Sequence, residues 1–355
     1  MRKTTKRVSV GGVAVGGGER VKIQSMTTVK TSRVEACAQQ IAALAAAGCD
    51  IVRVAVLDEE DARAIRALKE KISLPLVADI HFSPRLAVES VENGADKIRI
   101  NPGNIGGEAE IKRVADALKA HRVPVRVGSN TGSIEPEFFK KYGRSAAALV
   151  ESALYNAQIL EKYGVEDIVL SVKASSVPLT VEAYTLLSSR SDYPLHVGVT
   201  EAGAAEAGLV KSAVGIGSLL LAGIGDTVRV SLTDDPVKEV YAAKHILRAC
   251  GLDDRFVEVV SCPTCGRCGW ESMSLAAKVS EYVKDRRVKA KIAVMGCVVN
   301  GPGEARDCDL GIAGGNGSCM LFEKGEPFLR VEADKAEETF FFYLDKLLKE
   351  REEGK

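Results

Sequence analysis

Cys262, Cys265 and Cys268 follow one another at two-residue gaps in SCPTCGRCGW, and Cys297 stands further on in MGCVVNGPGEA. Gaps of two residues let a loop of thiolates wrap one face of a metal centre. Spacing alone leaves two centres open, because tetrahedral zinc and an iron-sulfur cluster both accept it. Bare spacing also makes Cys268 the third ligand. Two details weigh toward redox chemistry. Strand-like runs, VEVV before Ser261 and KIAVM before Gly296, present each cysteine group from a rigid strand end onto a loop. The second loop holds Gly and Pro residues that fold backbone tightly, and carries Glu304 within reach of the same site. A carboxylate is a hard ligand that iron can exchange for a substrate oxygen; the plainer role of Glu304 is a charge at a helix N-terminus.

The chain has nine cysteines, an odd number, and its basic N-terminus MRKTTKRVSVGGVAVGGGER lacks the apolar core of a signal peptide. That combination argues against a disulfide framework and for reduced thiols that bind metal. Cys37, Cys49, Cys250, Cys308 and Cys319 lack partner spacing and are expected to be small buried residues. No stretch is apolar for the ~20 residues that span a bilayer, so a cytoplasmic protein is expected, with no membrane partner. Lys and Arg total 48 and Asp and Glu total 48. That balance leaves no whole-molecule field to draw in nucleic acid, and any basic site must be local.

The elements that must position these residues follow one repeating pattern from Val21 to Ala249. A short β-branched run ending in polar residues precedes an Ala/Leu-rich amphipathic stretch, often closed by Gly. The strands expected are VKIQSMTT, DIVRVAV, PLVADIH, KIRINPG, VPVRVGSN, DIVLSVKAS, PLHVGVTEAG and DTVRVSLT. Strands alternating with helices imply a parallel sheet, and eight such units suit a closed (β/α)8 barrel of the TIM type. The glycines of GGVAVGGGER precede the first unit and read as a turn or short hairpin rather than a dinucleotide fingerprint.

Polar residues lie late in these strands or just after them: Gln24, Arg53, Asp79, His81, Arg99, Asn101, Arg126, Asn130, Lys173, Glu201, Arg229 and Ser231. In a parallel barrel such positions converge on the mouth that carries active sites. Arg53, Arg99, Arg126 and Arg229 with Lys173 form a cationic ring suited to a diphosphate or another polyanion, because guanidinium pairs bidentately with phosphate oxygens. The competing account pairs each arginine with an acid such as Asp79 or Glu201.

Those blocks, together with ADIHF, KIRINPGNIG, VRVGSNTGS, SVKASS, HVGVTEAG, SCPTCGR and MGCVVNGPGEA in this order, resemble the 4-hydroxy-3-methylbut-2-enyl diphosphate synthase family from end to end. The resemblance implies reductive ring opening and dehydroxylation of 2-C-methyl-D-erythritol 2,4-cyclodiphosphate in the methylerythritol phosphate route to isoprenoids. It implies a TIM-like barrel over residues 1–252 that binds the cyclic diphosphate. A smaller α+β domain over residues 253–355, similar to those of sulfite and nitrite reductases, would bind one 4Fe-4S cluster per subunit. Cys262, Cys265 and Cys297 would be the thiolate ligands and Glu304 the displaceable fourth. Arg53, Arg99, Arg126 and Lys173 would hold the diphosphate, with Asn130, Arg229 and Ser231 nearby. Glu201 would be the acid/base residue, and Asp79 and His81 would shape the rim.

The family further implies reduced flavodoxin or ferredoxin as electron donor and a head-to-tail homodimer. Barrel and cysteines are nearly contiguous, as in the short, two-domain bacterial form. Cys268 departs from the family's pattern, which has no cysteine there, and is expected not to be a ligand. Two rival readings stay in view. A zinc-stabilised binding module fused to an inactive barrel would have broken polar positions on the rim, and none is broken. A radical enzyme using S-adenosylmethionine would have its cysteines after the first strand, not after the whole barrel.

Overall fold

A computed structural model of the chain describes residues 2–354 apart from 102–103, 133, 254, 263–264, 298–302, 304 and 316, and only the backbone of 205. The chain divides into two compact units, Met1–Leu252 and Asp253–Lys355. The first opens with an antiparallel hairpin of β1 (Val8–Val10) and β2 (Val13–Val15), turned by Gly11 and Gly12 at φ of 53° and 87°. Eight parallel strands follow: β3 (Lys22–Met26), β4 (Ile51–Ala55), β5 (Leu76–Asp79), β6 (Lys97–Ile100), β7 (Val125–Asn130), β8 (Ile168–Lys173), β9 (His196–Val197) and β10 (Thr227–Val228). Their order is β8-β7-β6-β5-β4-β3-β10-β9, and a bridge between Leu170 and Leu195 brings β8 back beside the start of β9. The result is the expected eight-fold (β/α) barrel.

Helices α1 (Val34–Ala47), α2 (Glu59–Lys71), α3 (Pro84–Glu92), α4 (Glu108–His121), α5 (Pro136–Tyr142), α6 (Ala146–Lys162), α7 (Val177–Arg190), α8 (Ala205–Leu221) and α9 (Pro236–Ala249) connect the strands. Several begin on side chains that accept an orphan N–H of the first turn: Asp58, Ser83, Ser145, Ser176 and Asp235. Such caps fix where each strand-to-helix loop ends, and those loops form the mouth. Buried Asp61 ties two of them together, accepting from Ser32 N at 2.9 Å and Leu57 N at 3.2 Å.

Period-two alternation sends the apolar side chains of the strands outward. Val52, Val54, Ile98, Ile100 and Leu170 pack against helix residues such as Ile41, Leu44, Ile65 and Leu149 in one continuous core. Burial of each such side chain stabilises by about 1.5–3 kcal/mol, so this outer layer carries the barrel. The hairpin's Val8, Val10 and Val15 pack on Ile51, Val77 and Val169, closing the end of the barrel where the strands begin. Two elements differ from expectation. The sequence reading missed α5, none of whose residues is buried, so it carries no apolar periodicity. β9 and β10 are two residues each, much shorter than PLHVGVTEAG and DTVRVSLT, because the chain leaves the ladder at Gly198 and Arg229. Among the described residues no helix is long and apolar enough to cross a membrane.

The second unit is a five-stranded sheet ordered β11 (Val257–Ser261), β12 (Ala290–Met295), β13 (Leu310–Gly315), β14 (Ser318–Glu323), β15 (Glu326–Glu332). The first three run parallel and the last two antiparallel. Helices α10 (Ser272–Val283) and α11 (Ala336–Glu352) cover one face, where Leu275, Val279, Phe340 and Leu344 meet Ile292, Val294, Ile312 and Leu321. Trp270 donates its indole N–H to Met295 O at 3.1 Å and packs against Gly314, where an added Cβ would stand 1.9 Å from the ring.

Gly314→Ala is therefore expected to push the ring off the sheet and cost roughly 1–3 kcal/mol. Trp270 is the single tryptophan. Its emission should shift to the red in the native variant; an unchanged spectrum and melting temperature would refute this packing.

Candidate active site

The same alternation that sends apolar residues outward turns a polar set inward. On β6 and just beyond it Lys97, Arg99 and Asn101 are all buried, and β4, β7 and β8 contribute buried Arg53, Arg126 and Lys173. Asp79 stands among them, 3 % exposed. Arg99 Nη1 reaches its Oδ1 at 3.2 Å, Arg53 Nε its Oδ2 at 3.7 Å, and His81 Nε2 the same oxygen at 3.4 Å. Burial by itself would raise this carboxyl's pKa, but Arg53, His81 and Arg99 override it and hold the group well below the usual carboxylate range. Burial in turn lowers Arg53 to about 10 despite Asp79. Arg53 also points Nε and Nη2 at Met26 Sδ, 3.0 and 2.9 Å away.

The other cations are less well compensated. Nε and Nη1 of Arg126 are buried without a hydrogen-bond partner among the described residues, and Arg126 is lowered by burial and by repulsion from Arg53 and Arg99. Lys173 is lowered the same way, by burial first and then by Arg126, Arg53, Arg229 and Arg99. Gly198 makes room for it: a Cβ there would lie 2.8 Å from Lys173 Nζ and 2.5 Å from Arg229 O. Arg229 faces the carboxylate of Glu239, Nε to Oε2 at 3.5 Å, and Glu239 also accepts from Ser25 Oγ at 3.2 Å and Leu232 N at 3.0 Å. Basic side chains in excess over buried carboxylates make an interior that attracts an anion rich in oxygen acceptors.

The remaining expected residues lie nearer the mouth. Asn130 ends β7 opposite Lys173, which ends β8. His81 is half exposed after β5, and Ser231 is partly buried after β10. Glu201 is exposed, with no ion pair or hydrogen bond among the described residues, and its φ of 51° is one that L side chains rarely adopt. Holding it there costs about 1–3 kcal/mol, a strain typical of functional positions. The pairing of arginines with acids holds for Arg53, Arg99 and Arg229, though through Asp79 and Glu239 rather than Glu201. Arg126 sits second in β7 and only 2 % exposed, deeper than the late-strand position the sequence suggested.

Lys97, His196 and Glu239 belong to this interior and escaped the sequence reading. Lys97 and His196 stand two residues before Arg99 and Gly198, so period-two alternation marked them as inward. Glu239 lies on a helix rather than a strand end, and only folding brings Ser25, 214 positions away, to the carboxylate that also meets Arg229 and Leu232.

In the second unit, parallel β11 and β12 end side by side, Ser261 against Val294. Cys262 and Cys297 leave these neighbouring ends, and Gly296 N–H donates to Cys262 Sγ at 3.1 Å. Cys265 is exposed on its loop. Cys268 Sγ lies 3.2 Å from both Trp270 O and Ser272 Oγ, and an added Cβ on Gly296 would approach it to 2.9 Å. Glu304 lies outside the described residues. Among the described residues no three His, Cys, Asp or Glu side chains are gathered as a metal site. Soft thiolate donors on adjacent strand ends nevertheless suit an iron-sulfur cluster in chemical type. Cys37, Cys49, Cys308 and Cys319 are buried as expected, and burial pushes Cys49 up to about 12 and Cys308 and Cys319 up to about 11, which disfavours the reactive thiolate; Cys250, at the end of α9, is only partly buried.

Asp79→Asn leaves Arg53 and Arg99 uncompensated and is expected to lower ligand-free stability by about 3–5 kcal/mol at neutral pH. The Asp79 carboxyl sits below its ordinary 3.8, so its contribution is full above that pH and lost as pH falls below it. Melting temperatures of the two proteins should differ most near neutrality and converge in acid; a gap that stays constant would refute the pairing.

Two family models match in order, the GcpE TIM-barrel domain over residues 5–244 and the GcpE protein C-terminal domain over residues 258–346. A 4-hydroxy-3-methylbut-2-en-1-yl diphosphate synthase (flavodoxin) of Caldanaerobacter subterraneus subsp. tengcongensis is 52% identical over 351 residues, 99% of each chain. The protein of the same name from Fusobacterium nucleatum is 50% identical over 356 residues, 100% of this chain and 99% of its own. Among solved structures, dihydropteroate synthases from Yersinia pestis and Xanthomonas albilineans each align with a TM-score of 0.51 over 70% of this chain. They span 100% and 98% of their own chains at 12% and 16% identity, a likeness of barrel fold alone. With both domains matched in sequence and full-length relatives sharing about half its residues, this chain belongs to the GcpE family.

Proposed function

We propose that the chain converts 2-C-methyl-D-erythritol 2,4-cyclodiphosphate to 4-hydroxy-3-methylbut-2-en-1-yl diphosphate, the product for which its relatives are named. The observation that carries this reading is the buried excess of cations around Arg126 and Lys173, which a bound diphosphate would neutralise. Arg53, Arg99, Arg126 and Lys173 hold the diphosphate, with Asn130, Arg229 and Ser231 beside it. Asp79 and His81 keep Arg53 and Arg99 in place. As the carbon–oxygen bond to the diphosphate breaks, charge gathers on oxygens already facing guanidinium groups, which lowers the barrier. Glu201 delivers the proton to the departing hydroxyl oxygen, which leaves as water. Two electrons and one proton enter for each ring opened, which balances the reaction.

Cys262, Cys265 and Cys297, with Glu304 as a displaceable fourth ligand, would hold one 4Fe-4S cluster per subunit. The bound cluster would supply the electrons singly. Reduced flavodoxin is the donor that the relatives' names favour, with ferredoxin the alternative, and the proposed assembly is the head-to-tail homodimer that the family resemblance implies. The Cys268 thiol, engaged by Trp270 O and Ser272, stays a packing residue.

The test is turnover of the cyclodiphosphate by anaerobically reconstituted protein with an artificial low-potential reductant. Product should form, and Arg126→Met should lose at least 100-fold in kcat/KM, about 2.7 kcal/mol of transition-state stabilisation. No product from a protein with an intact cluster spectrum would sink the substrate. Cys268→Ser should keep the cluster spectrum and Cys297→Ser should lose it; the reverse pattern would overturn the ligand set.

A further inference from the structure

Lys97 opens β6 on the inward face, 0 % exposed, and its Nζ has no hydrogen-bond partner among the described residues. A charged ammonium buried this fully without an ion-pair partner among the described residues costs several kcal/mol. Its surroundings add to that cost. Arg126 on β7 and Arg53 on β4 repel it, Arg99 lies two residues along its own strand, and Lys173 on β8 belongs to the same field. His196 on β9 is itself held well below its usual value, by burial first and then by Lys173, Arg126, Lys97 and Arg53. On the β3 and β10 side stand Lys22, lowered by burial, and Arg229, which is turned to Glu239. Asp79 on β5 is shared by Arg53 and Arg99 and offers Lys97 no ion pair. Burial, reinforced by Arg126 and Arg53, brings the amine down to about 7.

We propose that Lys97 regulates the charge of this interior: it is a neutral amine in the ligand-free barrel and takes one proton from solvent when a diphosphate settles among Arg53, Arg99 and Arg126. This rests on the diphosphate reading above. The entering anion cancels the arginine field that kept the proton off, so anion binding and proton binding favour each other by the same factor. With Lys97 neutral, the cations of the barrel interior repel one another less before substrate arrives. Above neutrality, affinity for diphosphate should fall with rising pH more steeply than the ligand's own ionisation explains.

Inorganic pyrophosphate is the probe, titrated calorimetrically into the full chain at about pH 8 in two buffers of different ionisation enthalpy. The wild type should take up about one proton more per site than Lys97→Met, and the ligand's own protonation cancels in that difference. The ratio of wild-type to variant affinity should fall about tenfold per pH unit above neutrality. Equal proton counts with tight binding would overturn the role of Lys97 and leave the diphosphate site standing. Failure of both proteins to bind pyrophosphate would overturn the diphosphate reading and the inference with it.

Melting curves without ligand give an independent check. A lysine at about 7 when folded and 10.5 when unfolded binds fewer protons in the native state between those values. Wild-type stability should therefore rise with pH across that window relative to Lys97→Met. No relative rise would mean that Lys97 is charged in the empty barrel, and the proposal would fall.

Discussion

Like charges held inside a closed barrel repel one another, and the arrangement of this interior answers that repulsion. Asp79 lies where Arg53, Arg99 and His81 can share it, and Glu239 reaches in from α9 to face Arg229. Arg126 and Lys173 are left with burial and repulsion against them. In a low-dielectric interior the energy so held is released when an anion of matching shape arrives, which turns an unfavourable ligand-free state into affinity. The polar interior cannot stabilise the fold by itself. The outer apolar layer between strands and helices does that, and the hairpin seals the end opposite the mouth.

Rigidity at the mouth follows from ordinary backbone chemistry. Caps such as Asp58 and Ser176 end the loops where the helices begin, and Asp61 ties the loops after β3 and β4 with two backbone hydrogen bonds. Glu201 keeps a left-handed backbone that a side chain resists, a cost the framework around it must meet. Gly198 shows the converse. There the absence of a side chain lets Lys173 pass beside the backbone of Arg229.

Apart from Cys250, which is partly buried at the end of α9, the cysteines separate into two chemical groups. Those in the cores, such as Cys49 and Cys319, have proton affinities raised by burial and behave as small apolar residues. Cys262, Cys265, Cys268 and Cys297 lie on loops at the ends of β11 and β12. Cys268 shows why spacing misleads, since its place in the CxxCxxC run says nothing about its contacts with Trp270 and Ser272.

Most of the barrel was legible in the sequence, because strand and helix periodicity are local properties repeated eight times. The polar positions from Gln24 to Ser231 were legible for the same reason, as were the strand runs that lead into Cys262 and Cys297. What escaped had no local trace. Helix α5 buries nothing, and Glu239 meets Ser25 across 214 positions of chain. Lys97 and His196 had the inward alternation, but they open their strands and so lie away from the late-strand positions by which the sequence marks a barrel mouth. The sequence by itself thus determined the element types, the family likeness and the stock of cations and thiols. Only the tertiary structure decided which carboxylate compensates which arginine, and which cations are left without one. Charge balance inside a barrel is set by distances between strands, and those exist only once the sheet has closed.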